Sequence, residues 1–443
     1  MNQKGRLWNL RKLSKPERSW VLYDWANSVH STVISTAIFP LWFGQVAKTG
    51  SLSDTQISFG LGTANTLYAA FISLIAVVIG TLSDFRGYRK KLFFIFWLVG
   101  IVSVGALALV GNDDWIGLLV LYILGFIGFG GSNIFYDASL PDVTTPNRMD
   151  LISSFGYGYG YIGGSTIPFV LSLIIIAVLA GMDFSKGLPA IGVKISFLIT
   201  ALWWLFFSLP YLNNVKQKYG IDSVSSPIAE SFRRLAKTFL EIKKYKKVFL
   251  FLLAYFFYID GVNTIIKMAT NFASSIGVGL MVLLGTIIGI QILAFPFTLL
   301  YGRLAQRFGS RPLLFVGIGV YVLITALGTI MPLLPTANVL VAFILVAFLI
   351  STSQGGIQAL SRSYYASILP NQNFAGEFFG FYNTMGRFAA ILGPFLMGAL
   401  PRIAYLSGVT DERVAYSYGV GAVFILFVIG GVLLMVTEKT SNN

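Results

Sequence analysis

Apolar stretches long enough to cross a bilayer, about 20 residues each, recur at 20–46, 57–82, 92–111, 115–140, 151–180 and 191–212. A second set falls at 248–272, 278–301, 312–332, 337–360, 378–400 and 414–436, after a polar break. The pattern predicts an all-α polytopic membrane protein with twelve transmembrane helices in two pseudo-symmetric bundles of six. Two of these helices carry the same polar phrase inside their apolar runs. It reads Asp24-Trp25-Ala26-Asn27-Ser28 in the first and Asp260-Gly261-Val262-Asn263-Thr264 in the seventh. Offsets of three and four residues share a helix face. One stripe therefore runs Asp24, Asn27, Ser28, Ser31 and Ser35, and the other Asp260, Asn263, Thr264, Lys267 and Asn271. A carboxylate inside a spanning helix costs about 2.5–3.5 kcal/mol on insertion scales, so both helices are expected to line something wet or polar.

Composition agrees with a membrane chain: of 443 residues 56% are hydrophobic and 11% charged, against about 25% charged in soluble domains. The first apolar segment is too long for a signal-peptide core and lacks a small-residue cleavage site, so it reads as a retained span. A net charge of +14 would suit nucleic acid, but the bases alternate between loops. With the amino terminus inside, Lys4, Arg6, Arg11, Lys12, Lys15 and Arg18 share one side with the bases at 86–91, 148, 216–247, 303–311 and 439. The other side has only Lys48, Lys186, Lys194, Arg402 and Arg413. That asymmetry predicts cytoplasmic termini in a plasma membrane and contact with anionic headgroups, not nucleic acid. The absence of cysteine excludes disulfides, thiolate nucleophiles and thiolate metal sites.

The halves repeat. The loop after the second span reads Gly80-Thr-Leu-Ser-Asp84-Phe-Arg86-Gly87-Tyr-Arg89-Lys90, and the loop after the eighth reads Gly302-Arg303-Leu-Ala-Gln306-Arg307-Phe-Gly309-Ser-Arg311. Both have a Gly, a polar acceptor, a second Gly for the tight turn and a base. They are candidate conformational-switch loops, with Gln306 replacing the acid in the second. The division expected is a bundle over 1–212, a linker over 213–247 and a bundle over 248–443. Within the linker, Ser226-Pro227 with Glu230 starts a helix. Its face of Ile228, Phe232, Leu235, Phe239 and Ile242 suits the membrane surface.

These loops resemble the signature of the major facilitator superfamily. More narrowly, Tyr23-Asp24-Trp25-Ala26-Asn27-Ser28, the run 255–266, the run Gln354-Gly355-Gly356-Ile357-Gln358 through Ser363, and Glu377-Phe378-Phe379-Gly380-Phe381-Tyr382-Asn383 resemble its vacuole effluxer branch. The resemblance implies alternating-access transport about a midplane site lined by the first, fourth, seventh and tenth helices. It also implies amino acids as a substrate class.

Six ionisable residues lie inside spans: Asp24, Asp137, Asp260, Lys267, Arg362 and Arg387. Acids and bases balance, and unpaired buried charge is far costlier than a hydrogen-bonded pair. Asp24 and Asp137 fall near the cytoplasmic ends of their helices, whereas Asp260 lies about 20 Å beyond Lys247 at about 1.5 Å per residue. Further polar faces are Asn133 with Tyr136, and Gln354 with Gln358, while Tyr157, Tyr161, Tyr382 and Asn383 could add to the wall. Either these residues bind a zwitterionic solute or they form interdomain ion pairs that act as gates. Asp260 and Lys267 lean towards solute, and Asp24, Asp137 and Arg362 towards gate. Proton coupling through Asp260 or Asp24 is a further expectation. Gly156, Gly160 and Gly164 follow the small-residue spacing of close helix contacts, Gly393-Pro394 should bend the eleventh span, and His30 suits packing. No metal cluster, nucleotide loop or nucleophile-base pair is visible, so no cofactor and no enzymatic activity are expected. The leading reading is a monomeric secondary transporter of a small polar or zwitterionic solute. A carrier of amphipathic lipid or drug, and a sensor or scaffold on the same fold, are the alternatives.

Overall fold

The computed structural model describes residues 13–185, 187–222, 224–275, 278–389 and 391–439. Lys4, Arg6, Arg11, Lys12 and Lys186 lie outside the described residues. The first six helices are α1 (Lys15–Val29, a π turn His30–Thr36, then Ile38–Thr49), α2 (Asp54–Ser83), α3 (Tyr88–Ala106), α4 (Trp115–Ala138), α5 (Met149–Tyr159, a π turn Gly160–Thr166, then Ile167–Leu179) and α6 (Ala190–Asn214). The rest are α7 (Lys246–Ser275), α8 (Leu280–Phe308), α9 (Ser310–Ile330), α10 (Thr336–Ser367), α11 (Ala375–Phe388, then Leu392–Leu406) and α12 (Glu412–Lys439). Among the described residues, eleven spans are long and apolar enough to cross a membrane. The other, α1, reaches that length only as a stack of three pieces.

Local chemistry sets the ends and breaks. Ser14 and Glu17 form a reciprocal capping box at the start of α1, with Pro16 in the first turn, and Ser53 with Gln56 does the same for α2. Gly87, at φ +84°, makes the left-handed turn into α3. In α11 the helix stops at Phe388 and restarts at Leu392, next to Gly393-Pro394, because proline cannot donate and clashes with the preceding turn.

Helices α1–α6 pack mainly among themselves, as do α7–α12, and the halves meet where α2 crosses α11 and where α5 crosses α8 and α10. Glycines permit both crossings. A β-carbon on Gly80 would collide with the Gly376 carbonyl of α11, and one on Gly302 would lie 2.5 Å from Ser154 Cβ of α5. The α5 glycines do the same within the first half: Gly156 gives room to the Asp24 carboxylate, Gly160 to Ser28 Oγ and Gly164 to the Ser28 side chain. The start of α1, the linker and the end of α12 share one side, called the terminal face, since an even number of crossings separates them.

The linker is bound to that face. Ile221 pairs with Asp84 and Arg86 through two backbone hydrogen bonds of 2.9 Å, and Asp142 accepts from Lys218 N and Tyr219 N, each at 2.9 Å. On the linker helix (Pro227–Leu240), Ile228 and Phe232 are exposed while Leu235 is buried. The apolar face is thus divided between surroundings and protein; the side chains of Phe239 and Ile242 lie outside the described residues.

Glu17, ahead of the apolar span, ties α1 to the α4–α5 connection. It accepts from Thr144 Oγ1 at 2.7 Å and from Arg148 Nε at 2.8 Å. Burial raises its carboxyl, but Arg148, Ser14 and Thr144 outweigh burial and hold it below the ordinary 4.5. A depressed folded value means its contribution is complete above the ordinary value and is lost as the pH falls through the folded one. Glu17→Gln should therefore cost about 1–3 kcal/mol near neutral pH and flatten the acid limb of a Tm-against-pH curve. An acid limb as steep as the parent's would refute this.

Candidate functional site

Near the terminal face the halves are bolted by one guanidinium. Arg362 of α10 reaches across to Asp24 Oδ2 of α1 at 3.0 Å and Asp137 Oδ1 of α4 at 3.2 Å. Its Nε donates to Ser153 Oγ at 3.0 Å and its Nη2 to the Ser153 carbonyl at 3.2 Å, both on α5. Trp20, Tyr136 and Tyr157 surround it, with ring centroids 4.5, 5.3 and 4.4 Å from the guanidinium carbon. Asn383 of α11 donates to the other Asp137 oxygen at 3.2 Å. Charge-assisted bonds, planar stacking and burial combine here as Arg chemistry allows.

Two further latches lie closer to the surface. Asp84, at the end of α2, receives Gly376 N at 2.7 Å and Glu377 N at 3.2 Å, the free donors at the start of α11. Arg234 of the linker helix bridges Asp84 at 3.0 Å and Glu377 at 2.8 Å, and Arg89 lies 3.4 Å from Asp84. Burial pushes the Asp84 carboxyl up to about 6, and Arg89 and Arg234 pull against that rise. At the other crossing Asp150 of α5 accepts from Ser310 Oγ at 2.8 Å and also from Ser363 Oγ. Gln306 only approaches the Asn147 carbonyl at 3.5 Å. The acid missing from the second loop is thus replaced by one from the facing half.

Beyond the bolt lies a cavity of about 790 Å³ between the halves. Its wall takes Ser28, Ser31 and Ser35 from α1, Asn65 from α2, Tyr157 and Tyr161 from α5, Asn263 and Lys267 from α7, Gln354 and Gln358 from α10, and Arg387 from α11. Both π turns contribute, through Ser31, Thr32, Ser35, Tyr161 and Ser165. Tyr161 donates to Gln358 Oε1 at 3.1 Å across the halves.

The sequence profile of the family described as "Vacuole effluxer Atg22 like" matches residues 55–442. The chain belongs to that family. Among similar proteins, the uncharacterised MFS-type transporter YxiO of Bacillus subtilis is 42% identical over 435 residues, covering 98% of this chain and 97% of that one. Autophagy-related protein 22 of Saccharomyces cerevisiae is 21% identical, covering 90% and 89%. The crystal structure of the human organic anion transporter MFSD10 (TETRAN) matches with a TM-score of 0.69 at 13% identity, over 95% of this chain and 99% of that one, which shows the shared fold. As a member of the vacuole effluxer family, the protein is an integral, multi-pass, major-facilitator-type transporter relative and not an enzyme.

The residues singled out from sequence divide into three groups in this Atg22-like fold. Asp24, Tyr136, Asp137, Arg362 and Asn383 form the bolt, with Asn27 and Asn133 paired beside it at 2.7 Å. Asn263, Lys267, Gln354, Gln358 and Arg387 line the cavity. Asp260 does neither. It is fully buried and takes the backbone N–H of Gly393 at 2.9 Å, with Oδ1 unpartnered. Of the two residues expected to lean towards solute, Lys267 lines the cavity, while Asp260 is held by the donor freed at the α11 break. The Asn271 side chain lies outside the described residues. Among the switch-loop residues, Gly80, Asp84, Arg89 and Gly302 make the contacts above, Gly309 has φ +87°, and Arg307 stacks on neighbouring Phe308 at 5.2 Å. His30 packs between Phe126, Phe129 and Trp204.

Sequence reasoning missed Arg234, Asp150 and Ser153, and it quoted Glu377 only as part of a motif. Arg234 was legible as polar-face charge on an amphipathic helix, but the same pattern serves headgroup contact. In this cysteine-free chain the bolt is testable by labelling. Ser154→Cys, buried at the α5–α8 crossing, should resist a soluble maleimide, and adding Arg362→Gln should speed its reaction at least several-fold. Arg234→Gln should act in the same direction more weakly. Equal rates in all three backgrounds would exclude a closing role.

Proposed function

We propose that the protein is a secondary active transporter that moves a small polar solute, amino acids included, by alternating access between bundles 1–212 and 248–443. The observation that carries this reading is the asymmetry along the membrane normal. Apart from Tyr161–Gln358 on the cavity wall, the hydrogen bonds named between the halves gather towards the terminal face, while the cavity occupies the other side of the bolt. A cavity closed at one end and bordered by glycine-packed crossings is what a rocking two-bundle carrier presents in one of its two states. The excess of Lys and Arg on the terminal face supports a cytoplasmic assignment for it, so this state is the outward-facing one. The similarity to a Bacillus subtilis transporter supports a bacterial plasma membrane, and the family description supports export. The linker's bases and exposed Ile228 and Phe232 are read as contacts with anionic lipid.

Coupling to a proton gradient is proposed through Asp260. Its carboxyl is buried beside the break in α11, and one of its oxygens has no hydrogen-bond partner among the described residues, so proton gain and loss would change what it can offer Gly393. In proteoliposomes with an imposed pH gradient, Asp260→Asn should abolish gradient-driven accumulation in a labelled-solute panel while leaving exchange measurable. Full accumulation by this variant would remove Asp260 from the coupling path.

A further inference from the structure

The charges on the cavity wall all have one sign. Lys267 and Arg387 line it, and no Asp or Glu does among the described residues. The intramembrane acids are engaged elsewhere: Asp24 and Asp137 on Arg362, and Asp260 on Gly393 N–H. Lys267, exposed to the cavity, makes no ion pair among the described residues. Arg387 likewise makes none, and its Nε is buried without a partner. The guanidinium is nevertheless given a fitted place. A β-carbon on Gly130 of α4 would collide with it, so this glycine keeps the space that Arg387 fills. It stands at the end of the first α11 segment, one residue before Phe388. Counting nearby Asp260, two cations face one acid on this side of the bolt; the balancing negative charge is the second acid on Arg362, and Asp137 acts on Arg387 only through space, so neither cation has a carboxylate bonded to it among the described residues.

We propose that Lys267 and Arg387 form an oxyanion-binding pair, so that the solute is a net anion presenting a carboxylate or phosphate group. This inference rests on the reading of the cavity as the solute chamber. A planar guanidinium takes two oxygens of such a group at once and the ammonium supplies a mobile second charge. Hydroxyls and amides of Ser31, Ser35, Asn65, Asn263, Gln354 and Gln358 are left for uncharged polar parts of the solute. Among the described residues no carboxylate lines the wall to meet a solute's ammonium group, which disfavours a zwitterion relative to an anion of similar size.

The test is ligand-induced thermal stabilisation of the full-length protein in detergent, at constant ionic strength, with succinate, glutamate, inorganic phosphate, leucine and putrescine. At least one of the three anions should raise Tm, while leucine and putrescine do so weakly or not at all. Arg387→Gln and Lys267→Gln should each weaken the anion response at least tenfold in half-maximal concentration, and Arg387→Lys should restore part of it, which keeps the test open if a Gln variant does not fold. No response to any of the three anions, a leucine response as strong as theirs, or an undiminished anion response in both Gln variants would overturn the pair. Counterflow separates the two readings. Exchange of a solute that ignores both substitutions overturns the anion pair and leaves transport standing. Arg387-dependent anion binding with no exchange of any solute supports the pair and refutes the transport reading.

Discussion

Arg362 answers two acids of the opposite half at once, and the other contacts of the closed face are arranged around that fact. A guanidinium enclosed by helices is tolerable only when its donors and its charge are both met, and removing one partner of such a buried set costs about 3–5 kcal/mol. Asp24, Asp137 and both polar groups of Ser153 supply the partners, and three aromatic rings exclude water around them. The arrangement requires α1, α4, α5 and α10 to approach within side-chain reach at one depth. Gly156 makes that possible on α5 because any side chain there would displace the Asp24 carboxylate.

The outer latches repeat the same logic with different donors. Where α2 meets α11, backbone N–H groups at a helix start hold Asp84, and Arg234 adds a charge from the linker. Where α5 meets α8 and α10, Asp150 is held by hydroxyls alone. The two crossings are related by the repeat, yet one is charge-assisted and the other is neutral-donor only. The linker therefore contacts one crossing directly, through Arg234.

The alternating access proposed above would need the same elements to be breakable. The π turns in α1 and α5 and the break in α11 interrupt the regular ladder beside the cavity, and such interruptions concentrate at functional positions because they leave backbone groups free to change partner. Asp260 uses one of those freed groups, the Gly393 N–H. A charge-bearing side chain is thereby linked to the break in α11, near the cations that line the cavity.

Much was legible in the chain because the bilayer is a severe solvent. The twelve spans follow from apolar length alone, and the two-bundle fold from the repeated loop and the family motifs. The two Asp phrases could also be distinguished, since Asp24 follows the start of its apolar run at Trp20 by about one turn, whereas Asp260 lies thirteen residues beyond Lys247. Pairing was not legible. Periodicity places Asp24, Asp137, Asp260, Lys267, Arg362 and Arg387 on polar faces, but which acid meets which base depends on helix rotation, crossing depth and the residues that leave room, such as Gly130 and Gly156. Those quantities belong to contacts between helices distant in sequence, so only the tertiary structure assigned Arg362 to two acids and left Lys267 and Arg387 facing the cavity.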